Sequence, residues 1–579
     1  MNPDSSHTNT LRSLLAQEPQ ILQFGTSGRR GLLTHLSQLE IYLNALAELE
    51  YLQSLPREEG GIARGEAFFY ACDLRPSSTR FVEGSPRRGE LAQAIVAALR
   101  AAGMIPVNLG FLPTPALTCH ALAQGKGSIM VTGSHIPFDR NGYKTNTARG
   151  ELLKQHEAPI NERVREKREQ LYGQAFADSP FDEQGLFKIG SQPLPPPGEA
   201  AAQAYLHRYV DFFGTDCLAG TRLLVYQHSA VGRDLLVEIL CALGAAVFAA
   251  GRSETFVPID TENIDAAQLA AIQALFERAV GEHGRIDAVV STDGDSDRPL
   301  ILGVEGDRVR FFSGDLVGMI TAEFLGADAV VVPISCNDAI DRGSLKDLVE
   351  PKTRIGSPFV IAGMETARAK GKSAVCGWEA NGGFLTGSDI VRNGKSLTAL
   401  PTRDAVLPIV AVLAAARGRG VGLVDLFASL PKRHSRAALL KQFPRPIGLE
   451  IVRRFSPEAS GIGKVYFLPE TIAVLDRNGE EVAANDPLAQ GLTTIRLALA
   501  EFFDVREGFG AITALDFTDG VRILFDNGEV AHLRPSGNAD ELRIYAVADT
   551  QSRADTIATL AVAEPDGILR RLERRVYGR

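Results

Sequence analysis

Val290-Ser291-Thr292-Asp293-Gly294-Asp295-Ser296-Asp297-Arg298-Pro299 places three carboxylates at alternate positions directly after the apolar run Ala288-Val289-Val290. In an extended segment, side chains two apart point the same way, so Asp293, Asp295 and Asp297 converge on one point. Three like charges there repel, each pair by about 1 kcal/mol at 4 Å in water and about 4 kcal/mol at an effective dielectric near 20. A hard divalent cation with oxygen ligands removes that repulsion, and the adjacent Arg298 is placed to receive phosphate.

Taken alone, the segment has other readings. A solvated acidic turn at a strand end is one of them. A calcium-binding EF-hand loop is excluded, because its glycine position holds Arg298 and its terminal glutamate position holds Val304. A phosphatase with a covalent aspartate also carries Asp-x-Asp after a strand, so the rest of the chain must decide.

A chain of 579 residues exceeds one core, and the length prior is roughly three to five domains. With 45% apolar residues and a net charge of -9, the composition is that of a soluble globular protein without a broad nucleic-acid-binding surface. Six scattered cysteines with no Cys-x-x-Cys pair favour a reducing compartment. The polar N-terminus lacks a signal-peptide core, and the most apolar stretch, 405–416, is too short for a bilayer and contains Pro408. A cytoplasmic protein that engages neither membrane nor nucleic acid is expected.

Short β-branched or aromatic runs alternate with helical patterns through most of the chain. Strands are predicted at 67–71, 105–109, 128–131, 223–226, 246–249 and 288–290, with helices at 90–102, 115–123, 235–243 and 266–279. This alternation predicts α/β domains with largely parallel sheets, whose ligands collect beyond the carboxyl ends of strands. Residues 161–170 read as a solvated helix, and Gln192-Pro-Leu-Pro-Pro-Pro-Gly198 as a stiff linker. Units are predicted at 1–200 (with a charged, proline-rich insertion near 150–200), 201–303, 304–432 and 433–579. The first three units each carry a polar loop at a strand end, which predicts related α/β domains facing one cleft.

Three further loops carry chemistry. The first is Thr132-Gly133-Ser134-His135-Ile136-Pro137, followed by Asn141-Gly142-Tyr143-Lys144. Its serine is either a nucleophile or a backbone hydrogen-bonder. The second, Trp378-Glu379-Ala380-Asn381-Gly382-Gly383-Phe384, offers Glu379 and Asn381 to hydroxyls, or is a plain hairpin turn. The third, Arg534-Pro535-Ser536-Gly537-Asn538, offers a guanidinium, a hydroxyl and an amide to a phosphate. Two N-terminal clusters accompany them, Phe24-Gly-Thr-Ser-Gly28-Arg29-Arg30-Gly31 and Asp73-Leu-Arg75-Pro-Ser77-Ser78.

In this order the segments resemble the α-D-phosphohexomutase superfamily over nearly the whole chain. Phe24 to Gly31 resembles its F-G-T-x-G-x-R-G segment, Thr132 to Pro137 its T-A-S-H-N-P phosphoserine loop, and Asp293 to Arg298 its D-G-D-x-D-R magnesium loop. Glu379 to Gly383 resembles its E-x-S-G-H sugar loop, and Arg534 to Asn538 its R-x-S-G-T phosphate loop. The resemblance implies three related α/β domains, with mixed or mostly parallel sheets, and a smaller C-terminal α+β domain around a central cleft.

It further implies that phosphorylated Ser134 shares one Mg²⁺ with Asp293, Asp295 and Asp297. Catalysis would use Ser134, His135, Lys144, Arg30 and Arg298. Glu379, Asn381, Gly382, Arg534, Ser536, Gly537 and Asn538 would bind the substrate, with Ser357 in the segment that contributes to sugar selection. The implied reaction interconverts hexose 1- and 6-phosphates through a hexose 1,6-bisphosphate, which also serves as activator. Mannose phosphates are favoured and glucose phosphates come second. The rivals are a metal-dependent phosphatase and a silent sugar-phosphate-binding protein. Gly383 stands at the family's histidine position, so proton transfer would fall to another group such as Lys144 or His135.

Overall fold

A computed structural model describes residues 9–18, 20–84, 87–262, 264–458, 461–536 and 540–577. Among the described residues, the strands assemble into four principal sheets. In the first, Ile105–Phe111, Ala67–Cys72 and Ser128–Val131 run parallel, and Arg140–Thr147 and Arg29–Leu32 continue antiparallel. The second repeats this plan. Ala246–Arg252, Arg222–His228 and Ala288–Thr292 are parallel, followed by antiparallel Pro299–Glu305 and Arg308–Phe311. The third is shorter, with Ala329–Val331 parallel to Val375–Trp378, then antiparallel Phe384–Thr386 and Leu400–Asp404.

The parallel strands are buried on both faces, and this is why Ser128–Val131 and Ala288–Thr292 read as apolar or small-residue runs without alternation. The three units share a continuous apolar core that runs from Phe69 to Leu430. The fourth sheet, from His434–Lys441 through Glu541–Ala548 to Glu481–Val482, is antiparallel throughout. It closes over its own core, Leu440 to Leu572. The predicted fold class, three related α/β sheets followed by an α+β unit, is the one observed.

The repeated plan positions the chemistry. Each of the first three sheets makes one hairpin from its last parallel strand to its first antiparallel strand. Residues 132–139, 293–298 and 379–383 are the tips of those hairpins. In the fourth sheet, Val530–Pro535 and Glu541–Ala548 pair antiparallel. A hairpin tip lets a sheet present polar side chains beyond its strand ends while every ladder bond behind it is satisfied.

The solvated helix expected at 161–170 is in fact docked. It lies within Glu157–Tyr172, buries Ile160, Val164, Leu171 and Tyr172 against the helix Gln38–Ser54, and directs Arg168 onto the buried Glu40. Its charges are spaced so that one apolar stripe survives between them, which the charge run conceals. The apolar stretch near 405–416 is the buried helix Val406–Arg419. No helix among the described residues is long and apolar enough to cross a membrane.

Candidate active site

The serine loop is shaped by Arg75. Its guanidinium donates to the carbonyls of Ser134 (2.9 Å), Pro137 (2.8 Å), Arg140 (2.9 Å) and Ile136, tying both sides of the tip to one buried cation. Asp73 holds the same loop from below, accepting from Thr132 Oγ1 at 2.8 Å and from the Gly133 amide at 3.2 Å. Thr132 Oγ1 in turn accepts from the Ser134 amide at 2.7 Å. Held in this way, Ser134 adopts a left-handed backbone with φ 52°, a strained conformation that non-glycine residues seldom take.

The same scaffold explains a departure from the family pattern. A Cβ added at Gly133 would lie 2.6 Å from Arg75 Nε and 2.7 Å from its Cζ, and the guanidinium is anchored by its terminal nitrogens to four carbonyls. Gly133→Ala is expected to destabilise the protein by about 1–3 kcal/mol. Denaturant unfolding should show a lower midpoint at unchanged slope, and a midpoint equal to that of the parent would contradict it.

The acidic loop meets the serine loop face to face. The Ser134 hydroxyl donates to Asp293 Oδ2 at 2.8 Å across 159 residues of sequence. Asp293, Asp295 and Asp297 are fully buried, and their ligand atoms lie within 4.8 Å of one another. Lys144 Nζ bridges Asp295 Oδ2 (2.6 Å) and Asp297 Oδ2 (2.7 Å). From the start of the helix Thr114–Ala123, Thr114 clamps the loop by donating its hydroxyl to Asp295 Oδ2 at 2.8 Å and its amide to the Asp295 carbonyl at 3.0 Å.

Asp295 Oδ1 and Asp297 Oδ1 are buried without a hydrogen-bond partner. Orphaned carboxylate oxygens in a converging set are what a hard cation requires, so the residues present fit a divalent metal. The charges agree with this arrangement. Burial and the neighbouring carboxylates push Asp293 well above the ordinary range. Burial opposes ionisation of Asp297 too, but Arg403, Lys144 and Arg298 outweigh it and hold Asp297 well below that range.

The cations cluster on the open side. Arg298 Nε lies 3.6 Å from Asp297 Oδ1 and 4.0 Å from Asp293 Oδ2. Burial lowers Arg30 to about 10, and its Nε has no hydrogen-bond partner. His135 Nδ1 is 3.3 Å from Ser134 Oγ, and burial, with Arg298 and Arg30 nearby, holds the imidazole well below its ordinary pKa and therefore neutral.

Behind the loop, His228 donates Nε2–H to the Thr292 carbonyl at 2.8 Å, and burial lowers its pKa to about 4. The unfolded chain takes up this proton near pH 6.5 and the folded chain does not, so stability present above that pH is lost progressively as pH falls toward 4. His228→Gln keeps the donor but removes the titration. Its loss of stability between pH 7 and pH 5 is expected to be about 2 kcal/mol smaller than the parent's, and an unchanged difference would contradict this.

At the third tip, Glu379 is buried and accepts from Arg403 Nη1 at 2.9 Å. Asn381 Oδ1 accepts from the Gly383 amide at 3.0 Å, and Gly382 takes φ 86°, so both shape the turn. Thr261 of the second unit donates to the Asn381 carbonyl at 2.8 Å. Ser357 is completely buried behind this tip, donating to Glu151 Oε2 at 2.6 Å and accepting from Arg403 Nη1 at 3.1 Å.

In the fourth unit, Arg534 Nε donates to Asp519 Oδ2 at 3.1 Å and Ser536 is buried. Gly537 and Asn538 lie outside the described residues. Arg543 is the cross-strand neighbour of Arg534. Near it Glu262 is raised to about 7 by burial and by Asp260.

The first two tips are thus joined by a direct hydrogen bond, and Arg403 links the third to the second. The sequence reading missed Arg403, Thr114, Glu151 and Arg543. Arg403 carried a faint signal, a lone cation at the entrance to the apolar run 405–416.

Three segments match the phosphoglucomutase/phosphomannomutase family: its alpha/beta/alpha domain I at residues 22–171, its alpha/beta/alpha domain III at 313–434 and its C-terminal domain at 477–563. A phosphomannomutase of Sinorhizobium fredii (strain NBRC 101917 / NGR234) is 36% identical over 543 residues, covering 93% of this chain and 98% of its own. A phosphomannomutase of Salmonella muenchen is 34% identical over 547 residues, covering 93% and 94%. The crystal structure of a phosphoglucomutase/phosphomannomutase family protein from Burkholderia thailandensis shares the fold, with TM-score 0.61 and 17% identity over 95% of this chain and 97% of its own. A converging aspartate triad facing a strained serine, on a thrice-repeated sheet plan, agrees with this likeness over most of the chain, and the chain belongs to the phosphoglucomutase/phosphomannomutase family.

Proposed function

We propose that the protein is a phosphohexomutase acting on mannose phosphates, interconverting the 1- and 6-phosphates through a phosphorylated Ser134 and a hexose 1,6-bisphosphate. The observation that carries this reading is the 2.8 Å contact between Ser134 Oγ and Asp293 Oδ2 at the mouth of the buried carboxylate triad. The mannose assignment rests on the two phosphomannomutase relatives.

Asp293, Asp295 and Asp297 would hold Mg²⁺, which when bound offsets their repulsion and the charge of the transferring phosphoryl group. The chain's own part is positioning and neutralisation. In the first half-reaction the Oγ–P bond of phosphoserine 134 breaks and a sugar O–P bond forms. The proton of the sugar hydroxyl ends on Ser134 Oγ, and His135, held neutral and 3.3 Å from that oxygen, is suited to relay it. Arg30 and Arg298 face the phosphoryl group, Glu379 reads sugar hydroxyls, and Arg534, Ser536, Gly537 and Asn538 hold the distant phosphate. After the bisphosphate reorients, the same groups return its other phosphate to Ser134. Hexose 1,6-bisphosphate would act as activator by charging the serine. The units bounded near residues 200, 303 and 432 would each contribute one tip.

The test is a coupled assay of mannose 1-phosphate and glucose 1-phosphate with Mg²⁺ and a catalytic amount of hexose 1,6-bisphosphate. Faster isomerisation of mannose 1-phosphate, without release of phosphate, is expected. Release of free phosphate would support a phosphatase, and binding without turnover a silent protein; either result ends this reading.

A further inference from the structure

Arg403 links the acidic tip to the sugar tip. It is the penultimate residue of the strand Leu400–Asp404, which pairs with Phe384–Thr386 so that Phe384 faces Asp404. Its side chain is buried and reaches all three polar elements around it. Nε and Nη2 donate to Asp297 Oδ2 at 3.1 and 2.8 Å, and Nη1 donates to Glu379 Oε2 at 2.9 Å and to Ser357 Oγ at 3.1 Å. Glu151 of the first unit braces this array, accepting from Ser357 Oγ and from Thr402 Oγ1, each at 2.6 Å. A planar guanidinium donates in fixed directions, so one side chain sets the relative placement of the acidic tip and the sugar tip.

The methylene stem occupies the space beside Gly383. A Cβ added there would lie 2.4 Å from Arg403 Cδ, 2.7 Å from Cγ and 2.9 Å from Cβ. These are the inner atoms of the side chain, which cannot swing aside without withdrawing the guanidinium. Residue 383 and Arg403 therefore exclude one another: a side chain at 383 costs the arginine its place.

We propose that Arg403 is the positioning residue of this site, locking Glu379 to Asp297, and that it requires glycine at 383. The proposal rests on the mutase reading above. Its role is geometric, because one planar guanidinium spans Asp297 and Glu379 at hydrogen-bond distance.

The experiment starts with turnover of mannose 1-phosphate by the parent protein with Mg²⁺ and hexose 1,6-bisphosphate. No turnover there defeats the mutase reading independently of Arg403. On active protein, R403A is expected to lower kcat/KM roughly 10- to 100-fold, the worth of one lost charge-assisted contact, with KM carrying most of the change. Calorimetric binding of mannose 1-phosphate to the metal-free protein should weaken by a similar factor. R403K should recover only part of both losses, since an ammonium cannot span both carboxylates in one plane. G383H should lower kcat/KM about tenfold or more in the parent, yet cost little further in the R403A background. Wild-type binding and turnover in R403A, or an equal cost of G383H in both backgrounds, would overturn the proposal. Should R403A fail to fold, R403K and G383H decide the matter by calorimetry: wild-type affinity in both overturns it.

Discussion

Ser134→Ala is expected to reduce mutase turnover by roughly 10⁴-fold or more, as removal of a covalent nucleophile does. The effect should be chemical and not structural. The loop is held by Arg75, Asp73 and Thr132 through backbone groups, none of which needs the hydroxyl. What is lost is the oxygen that carries the phosphoryl group and its contact with Asp293. Sugar-phosphate binding should persist, and the protein should no longer gain the mass of one phosphoryl group when incubated with hexose 1,6-bisphosphate. Because alanine shares the cost of φ 52°, about 1–3 kcal/mol, Ser134→Gly serves as the relaxed control. Substantial turnover in either variant would move the nucleophile elsewhere, with Asp293 the first candidate.

Asp295→Asn should have the second largest effect, a loss of kcat of roughly 10³-fold together with a Mg²⁺ requirement displaced to at least about tenfold higher concentration. Asp295 is where the two halves of the reacting centre are fastened. One oxygen receives Thr114 and Lys144, and the other is buried without a partner. Asparagine keeps the shape and can still accept from Thr114, so the fold should survive. It removes one of the three negative charges that recruit the cation and leaves Lys144 paired with Asp297 alone. Measured activity against Mg²⁺ concentration checks this, and a parent-like curve would mean that Asp295 is no ligand.

Much of this was legible beforehand for a physical reason. The acidic tip is a contiguous segment in which side-chain type, alternation and the preceding apolar strand all act over a few residues, so the convergence of Asp293, Asp295 and Asp297 could be read directly, whereas the role of Ser134 came only from the family resemblance. The alternation of strands and helices likewise exposed the α/β plan. What stayed hidden depends on distance in sequence. Thr114 meets Asp295 across 181 residues and Arg403 meets Asp297 across 106, and no local pattern encodes such pairs. Ser357, placed by resemblance in the segment that contributes to sugar selection, is buried with its hydroxyl bonded to Glu151 and Arg403, partners that no local pattern announces. The departure at Gly383 became intelligible only when the Arg403 stem was found beside it.

The most direct test of the central claim is a phosphopeptide map of protein charged with labelled hexose 1,6-bisphosphate. The label should sit on the peptide containing Ser134 and should leave it when unlabelled mannose 6-phosphate is added, appearing in the sugar bisphosphate. Label on Asp293, or label lost to water as free phosphate, would contradict the account.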